Sequence, residues 1–263
     1  MKKLTLEEIK KIELEILCYF ADFCEKNSLR YYLAGGTLLG AIRHQGFIPW
    51  DDDIDVIMPR PDYMRFISLF KLHEEKVIYR IFSPYDSNNV YPYTKIFDSR
   101  TIIYEKYIDS KKKASYGVFI DVFPIDGLPN NDCEINIYFL FQKILSKLLW
   151  ILNTGEIKVL KIRGLPFREI ICRILIRIID KFAMRYDFDK ARLIAVSVIS
   201  THGKREIIEK AKCITPIKVN FEGKLFNAPQ GYNLYLRNLY GNYMRLPPIE
   251  GRKSNHSFEA YLR

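Results

Sequence analysis

Asp51, Asp52, Asp53 and Asp55 crowd the start of an apolar run over residues 54–58. In a strand, alternate side chains share a face, so Asp53 and Asp55 point one way while Ile54 and Val56 point into a core. Two carboxylates held side by side repel each other unless a divalent cation sits between them. The alternative for an aspartate cluster is a solvated turn, but this one runs into an apolar strand. A further acid, Asp121, lies between Ile120 and Val122 in a stretch rich in β-branched and aromatic residues. A buried strand aspartate is costly unless partnered, so Asp121 needs a cation or a hydrogen-bonding network. Upstream, Tyr31, Tyr32 and Leu33 suit a strand, Gly35 and Gly36 break it, and Thr37 is placed to cap a short helix over 38–42. A glycine pair between a strand and a helix start lets a phosphate approach backbone N–H groups closely. Together these residue types suit metal-assisted chemistry on phosphates.

Other side chains could join that chemistry. Arg43 and His44 stand just beyond the short helix, where each could meet a phosphate or a leaving group; for Arg43 a surface ion pair is the alternative. Lys95 lies on a strand with Tyr93 and Phe97 and could neutralise developing phosphate charge, or be solvated. No Ser-His-Asp or Cys-His pattern suggests covalent catalysis, and no histidine–cysteine spacing suggests zinc. His73 and His202 carry no pattern of their own.

The elements that must hold these residues are readable from periodicity. An amphipathic helix over 5–27 opens with a Thr5/Glu8 capping box and repeats Ile9, Ile12, Ile16, Phe20 and Phe23 at helical spacing. Pro61 begins a helix to about residue 72, and strands are expected over 77–83, 91–97, 101–105 and 117–123. Apolar helices follow over 135–152 and 170–182, then a helix over 189–200, a hairpin over 215–226 around Glu222-Gly223, and a helix over 229–240. The expected fold class is α+β, a mixed sheet flanked by helices with an added helical region. Residues 1–132 form the catalytic core and 133–263 a helical region and tail packed on it as one unit.

Hydrophobic residues make up 48% and charged residues 27% of the 263, which is a globular composition. A net charge of +10 points to nucleic acid, an anionic membrane surface or phosphorylated substrates. No base-reading or duplex-reading motif is present, so nucleic acid ranks last. Gln142, Lys143 and Lys147 interrupt the most apolar helix, so it is not read as a membrane span. Arg173 and Arg177, with Lys158, Lys161, Arg163 and Arg168, leave open a basic-rimmed face resting on a membrane, against the alternative of packing on the sheet. Five cysteines without paired spacing fit a reduced, cytoplasmic protein, at most peripheral to the inner face of the plasma membrane. Glu7, Glu8, Glu13 and Glu15 break any signal-peptide run.

The string GGTLLGAIRHQGFIPWDDDIDVIMPR resembles the LicD/fukutin-type phosphotransferases, within the nucleotidyltransferase superfamily marked by GG[TS] and D-x-D. Sixteen residues separate Gly36 from Asp53, more than the superfamily usually shows, and the RHQGFIPW segment that fills the gap is typical of the LicD-type group. Phe123-Pro124-Ile125-Asp126-Gly127 and the tail from Leu239 to Leu262 resemble the same group. The resemblance implies a nucleotidyltransferase-like fold in which Asp53, Asp55 and Asp121, with Asp51 nearby, hold Mg²⁺ (Mn²⁺ the alternative) against a nucleotide-activated donor. It implies that Gly35, Gly36 and Thr37 contact the donor diphosphate, that Asp121 accepts the acceptor's proton, and that His256 in the tail has a site role. The implied activity is transfer of phosphocholine from CDP-choline to a hydroxyl of a glycan or lipid-linked glycan, such as a teichoic acid or lipopolysaccharide precursor, with CMP released. Transfer of another CDP-activated polyol or a sugar phosphate is the alternative within the same chemistry. A non-catalytic membrane-surface assembly protein is the alternative of another class.

Overall fold

The computed structural model describes residues 1–73, 77–87, 89–105, 116–154, 167–199, 201–252 and 258–263. In chain order the elements are β1 (Lys2–Lys3), α1 (Leu6–Lys26), β2 (Tyr32–Leu33), α2 (Gly35–His44), β3 (Asp55–Pro59), α3 (Arg60–His73), β4 (Tyr79–Phe82), β5 (Thr94–Asp98), β6 (Thr101–Glu105) and β7 (Phe119–Gly127). There follow α4 (Asp132–Thr154), α5 (Arg168–Ala183), β8 (Leu193–Ala195), β9 (Ile208–Glu209), α6 (Lys210–Cys213), β10 (Pro216–Phe221), β11 (Lys224–Pro229), α7 (Tyr232–Tyr240) and β12 (Phe258–Leu262). This is an α+β fold with a mixed sheet at its centre.

The central sheet runs β2-β3-β7-β5-β4, and β8 continues from the end of β7 to β9. Only β3 and β7 pair in parallel, with Asp55 opposite Asp121; the other neighbours are antiparallel. Two small sheets complete the fold: β1-β12-β6, which joins the two chain ends, and the β10–β11 hairpin. Helix α1 starts as its capping box dictates. Thr5 Oγ1 accepts the Glu8 N–H at 3.2 Å, and the Glu8 carboxylate accepts the Thr5 N–H at 2.9 Å. Its buried stripe, with Ile16, Leu17 and Phe20 at the centre, covers one face of the sheet. The same hydrophobic core takes in Leu145 and Leu149 of α4, Ile176 and Ile179 of α5, and Leu236 of α7.

Two local expectations are corrected. Where a helix is expected over 189–200, residues 193–195 form β8: residues 194–198 are all buried, and Ile194 and Ala195 pair with the end of β7. An unpaired end of β7 would leave ladder groups unsatisfied, and β8 supplies the partner. Helix α2 starts at Gly35, with Ala34 as its N-cap, so Thr37 lies inside the first turn and is not its cap.

A buried ion network clamps α5 to the sheet. Arg60, at the start of α3, holds Asp126 of β7 through two hydrogen bonds of 2.6 and 2.8 Å and Asp180 of α5 through a third of 2.7 Å. The Tyr85 hydroxyl donates to Asp180 at 2.6 Å. Removing the cation would strand two dry carboxylates. Arg60→Met should therefore lower the unfolding free energy by about 3–5 kcal/mol in urea titrations at neutral pH. A loss below about 1 kcal/mol, the size of an exposed pair, would contradict the network's burial.

Candidate active site

The parallel register of β3 and β7 brings Asp55 and Asp121 side by side, and the Asp121 N–H donates to the Ile54 carbonyl at 2.9 Å. Thr37 fixes the start of β3 from below: its buried Oγ1 accepts the Asp55 N–H at 2.8 Å. The hydroxyl oxygen thus holds the backbone at the start of β3. The glycines before it make room for the acids. A Cβ on Gly36 would stand 2.5 Å from an oxygen of Asp51, and one on Gly35, whose φ is +51°, would stand 3.0 Å from Asp55. Burial, followed by the charges of Asp53, Asp121 and Asp51, pushes the Asp55 carboxyl well above the usual carboxylate range.

Lys95 is not solvated. It is opposite Asp121 in the β5–β7 ladder, its side chain is only 3% exposed, and its Nζ lies 2.6 Å from Asp121 Oδ1. The Phe119 ring, 3.5 Å away, and the Tyr91 ring, 4.5 Å away, enclose the ammonium. Asp121 is not among the residues that line the open cleft described below.

Sequence reasoning gave Glu13 no role in the site. It lies on the inner face of α1, is 2% exposed, and its Oε2 has no hydrogen-bond partner among the described residues. Burial, then the charges of Asp53 and Asp52, raises its carboxyl well above the ordinary range. Its signal was present: a glutamate where the helical spacing puts the buried stripe. Among the described residues no group of three or more His, Cys, Asp or Glu side chains is arranged to hold a metal ion. The donors are nevertheless all carboxylate oxygens, they raise one another's proton affinity, and one buried oxygen is orphaned, which suits a hard divalent cation such as Mg²⁺.

A cleft of about 990 Å³ opens over these acids. Gly36, Asp51, Asp53 and Asp55 belong to its lining, and Arg43, Arg245 and Arg252 bring positive charge to the same space. Arg43 Nη1 donates to the Tyr243 carbonyl at 2.7 Å, fastening α2 to the tail, and its Nε donates to His44 at 3.0 Å. Burial, then neighbouring Arg43, lowers the His44 pKa. Trp50 meets His44 edge-on and carries the Arg252 guanidinium 5.5 Å from its ring. The structure also puts His202 in the cleft wall, edge-on to Tyr240 with ring centroids 5.8 Å apart. Nothing in the residues around His202 signals this, because only the fold brings residues 201–252 over the acids. His256 lies outside the described residues.

The LicD/FKTN/FKRP nucleotidyltransferase domain matches residues 28–143, which include all the candidate acids except Glu13. Along the full length of both chains, the protein is 35% identical to the lipopolysaccharide cholinephosphotransferase LicD of Haemophilus influenzae. Over 38 residues, 14% of this chain and 8% of the relative, it is 50% identical to the human ribitol 5-phosphate transferase FKRP. An uncharacterised protein of Rickettsia typhi is 42% identical over 67 residues, 25% of this chain and 22% of the relative.

The two acids should behave differently when neutralised. Asp53→Asn removes one member of a repelling group and should leave the melting temperature unchanged or raised. Asp121→Asn takes the carboxylate from buried Lys95 and should cost about 3 kcal/mol. Equal stability of the two variants in chemical denaturation would argue against the Lys95 pairing. Behind the cleft, burial, offset by the Tyr235 hydroxyl, pushes Glu206 up to about 7. Its folded value is thus above its ordinary 4.5, so its contribution to stability is complete at acid pH and is lost as pH rises through neutrality. The stability of Glu206→Gln relative to the parent should therefore climb between those limits by at most about 1.4 kcal/mol per pH unit. A pH-independent difference in thermal melts would refute this.

Proposed function

The chain belongs to the LicD family and is a phosphotransferase, and from that premise we propose that it moves phosphocholine from CDP-choline to a hydroxyl of a cell-surface glycan precursor, releasing CMP. The observation that carries the reading is the cleft, whose lining combines the carboxylates of Asp51, Asp53 and Asp55 with the guanidinium groups of Arg43, Arg245 and Arg252. A nucleotide-linked donor presents the matching pattern, a diphosphate flanked by a cation at its choline end.

Asp53 and Asp55 would hold Mg²⁺, with Asp121 behind Asp55 and the orphaned Glu13 oxygen beneath. When bound, the ion offsets the negative charge that donor phosphates and carboxylates bring together. Arg43, Arg245 and Arg252 draw the donor phosphates, Arg43 with its guanidinium already oriented by the Tyr243 carbonyl. The aromatic rings of Trp50, Tyr240 and Tyr243 line the same space and offer π faces suited to a quaternary ammonium. The acceptor oxygen attacks the phosphorus that bears choline, the bond from that phosphorus to the bridging oxygen breaks, and CMP leaves with that oxygen. The acceptor's proton passes to a cleft carboxylate, for which Asp53, in the cleft lining, is the candidate. The short match to a ribitol 5-phosphate transferase favours, as a second reading, another CDP-activated polyol in the same site with the same chemistry.

Incubation with CDP-choline, Mg²⁺ and a lipopolysaccharide or teichoic acid precursor should give CMP and a product heavier by one phosphocholine. EDTA or Asp53→Asn should reduce turnover by at least about 10³-fold, as loss of a principal electrostatic group does. A cytidylylated acceptor with free phosphocholine would overturn the bond assignment. Turnover with CDP-ribitol alone would move the reading to the polyol.

A further inference from the structure

The α4–α5 pair is apolar on its outer surface as well as its inner one. On α4, Ile137, Phe141, Ile144 and Leu148 form a stripe at helical spacing, and all four are exposed, Ile137 at 62% and Ile144 at 55%. On α5, Ile170, Ile174 and Ile178 form a second stripe, with Ile174 54% exposed. The Phe141 and Phe182 rings touch, with centroids 4.8 Å apart, so the α4 stripe borders α5 and the two stripes share one face. A contiguous apolar surface of this kind marks an interaction site.

The charges around the stripes are one-sided. Beyond the first turn of α4, the exposed charged residues of the two helices are Lys143, Lys147, Arg173, Arg177 and Lys181, against Glu169 alone. We propose that this face rests in the headgroup layer of an anionic lipid leaflet, with α4 and α5 lying in its plane. A second copy of the chain seated on the same face would bring like charges together, whereas an anionic leaflet complements them. The long basic side chains can reach the headgroups while their stems cover apolar surface.

Helix α4 is long and apolar enough to span a membrane, at 23 residues with mean hydropathy 1.4. It does not span here, because Tyr138, Phe139, Leu145, Leu149 and Leu152 on its other face are buried in the protein. Withdrawing the helix would expose that core. The lipid face also adjoins the cleft: Lys204, two residues from His202, donates a hydrogen bond to Asn136 near the start of α4. An acceptor anchored by a lipid would then present its glycan beside the acids, while the docking itself requires no substrate.

Flotation of the full chain with vesicles of phosphatidylglycerol and phosphatidylcholine tests the proposal. Binding at low salt should be strong, fall with added salt, and be about tenfold weaker to phosphatidylcholine alone. Ile144→Glu with Ile174→Glu should lower partitioning about tenfold or more without changing the melting temperature, and Lys143→Glu with Lys147→Glu should reduce the preference for anionic lipid. Absence of binding to anionic vesicles at low salt would overturn the proposal, as would binding indifferent to the isoleucine substitutions. A lipid-free dimer that those substitutions dissolve, seen by light scattering, would assign the face to a second copy instead.

Discussion

The parallel pairing of β3 with β7 forces Asp55 and Asp121 into neighbouring positions, and much of the site follows from managing that contact. Carboxylates pressed together in poorly hydrated surroundings raise one another's proton affinity, and here Asp51, Asp53 and Glu13 add to the crowd. The protein answers with one ammonium, Lys95, held on Asp121 inside an aromatic enclosure. The glycine pair and Thr37 serve the same arrangement, the first by yielding space to Asp51 and Asp55, the second by anchoring the Asp55 backbone.

Strand β7 carries a second acid that answers a different need. Asp126 lies five positions beyond Asp121, so strand alternation sends the two side chains to opposite faces of the sheet. One face holds the site acids with Glu13 of α1. The other holds Asp126, Arg60 and Asp180, which tie β7 to α3 and α5. Asp126 is satisfied within the protein by a two-pronged guanidinium, whereas Asp121 is met by the ammonium of Lys95.

The tail gives the site its enclosure. Residues from Tyr240 to Arg252 line the cleft together with the acids, and Arg43 is fastened to them through the Tyr243 carbonyl. The cleft is therefore made by chain segments about two hundred positions apart. Helix α4 is tied to the segment just after His202 by the hydrogen bond from Lys204 to Asn136.

The sequence by itself determined the local elements and the acids. Capping at Thr5, period-two strands around Ile54 and Ile120, and the glycine pair were all legible because each depends on neighbours within a few residues. The α+β class and the LicD-type resemblance followed from the same strings. Where local patterns misled, tertiary pairing had overruled them: the segment after residue 189 became a strand because the end of β7 needed a partner. The acids' partners were not legible. Lys95 could have been solvated, Glu13 could have been one more helix acid, and His202 had no pattern, until β5 met β7, α1 covered the sheet and the segment from residue 201 folded over the cleft. Side-chain charge is written in the residue type, but its effect depends on what surrounds it, and those surroundings are assembled from positions far apart in the chain.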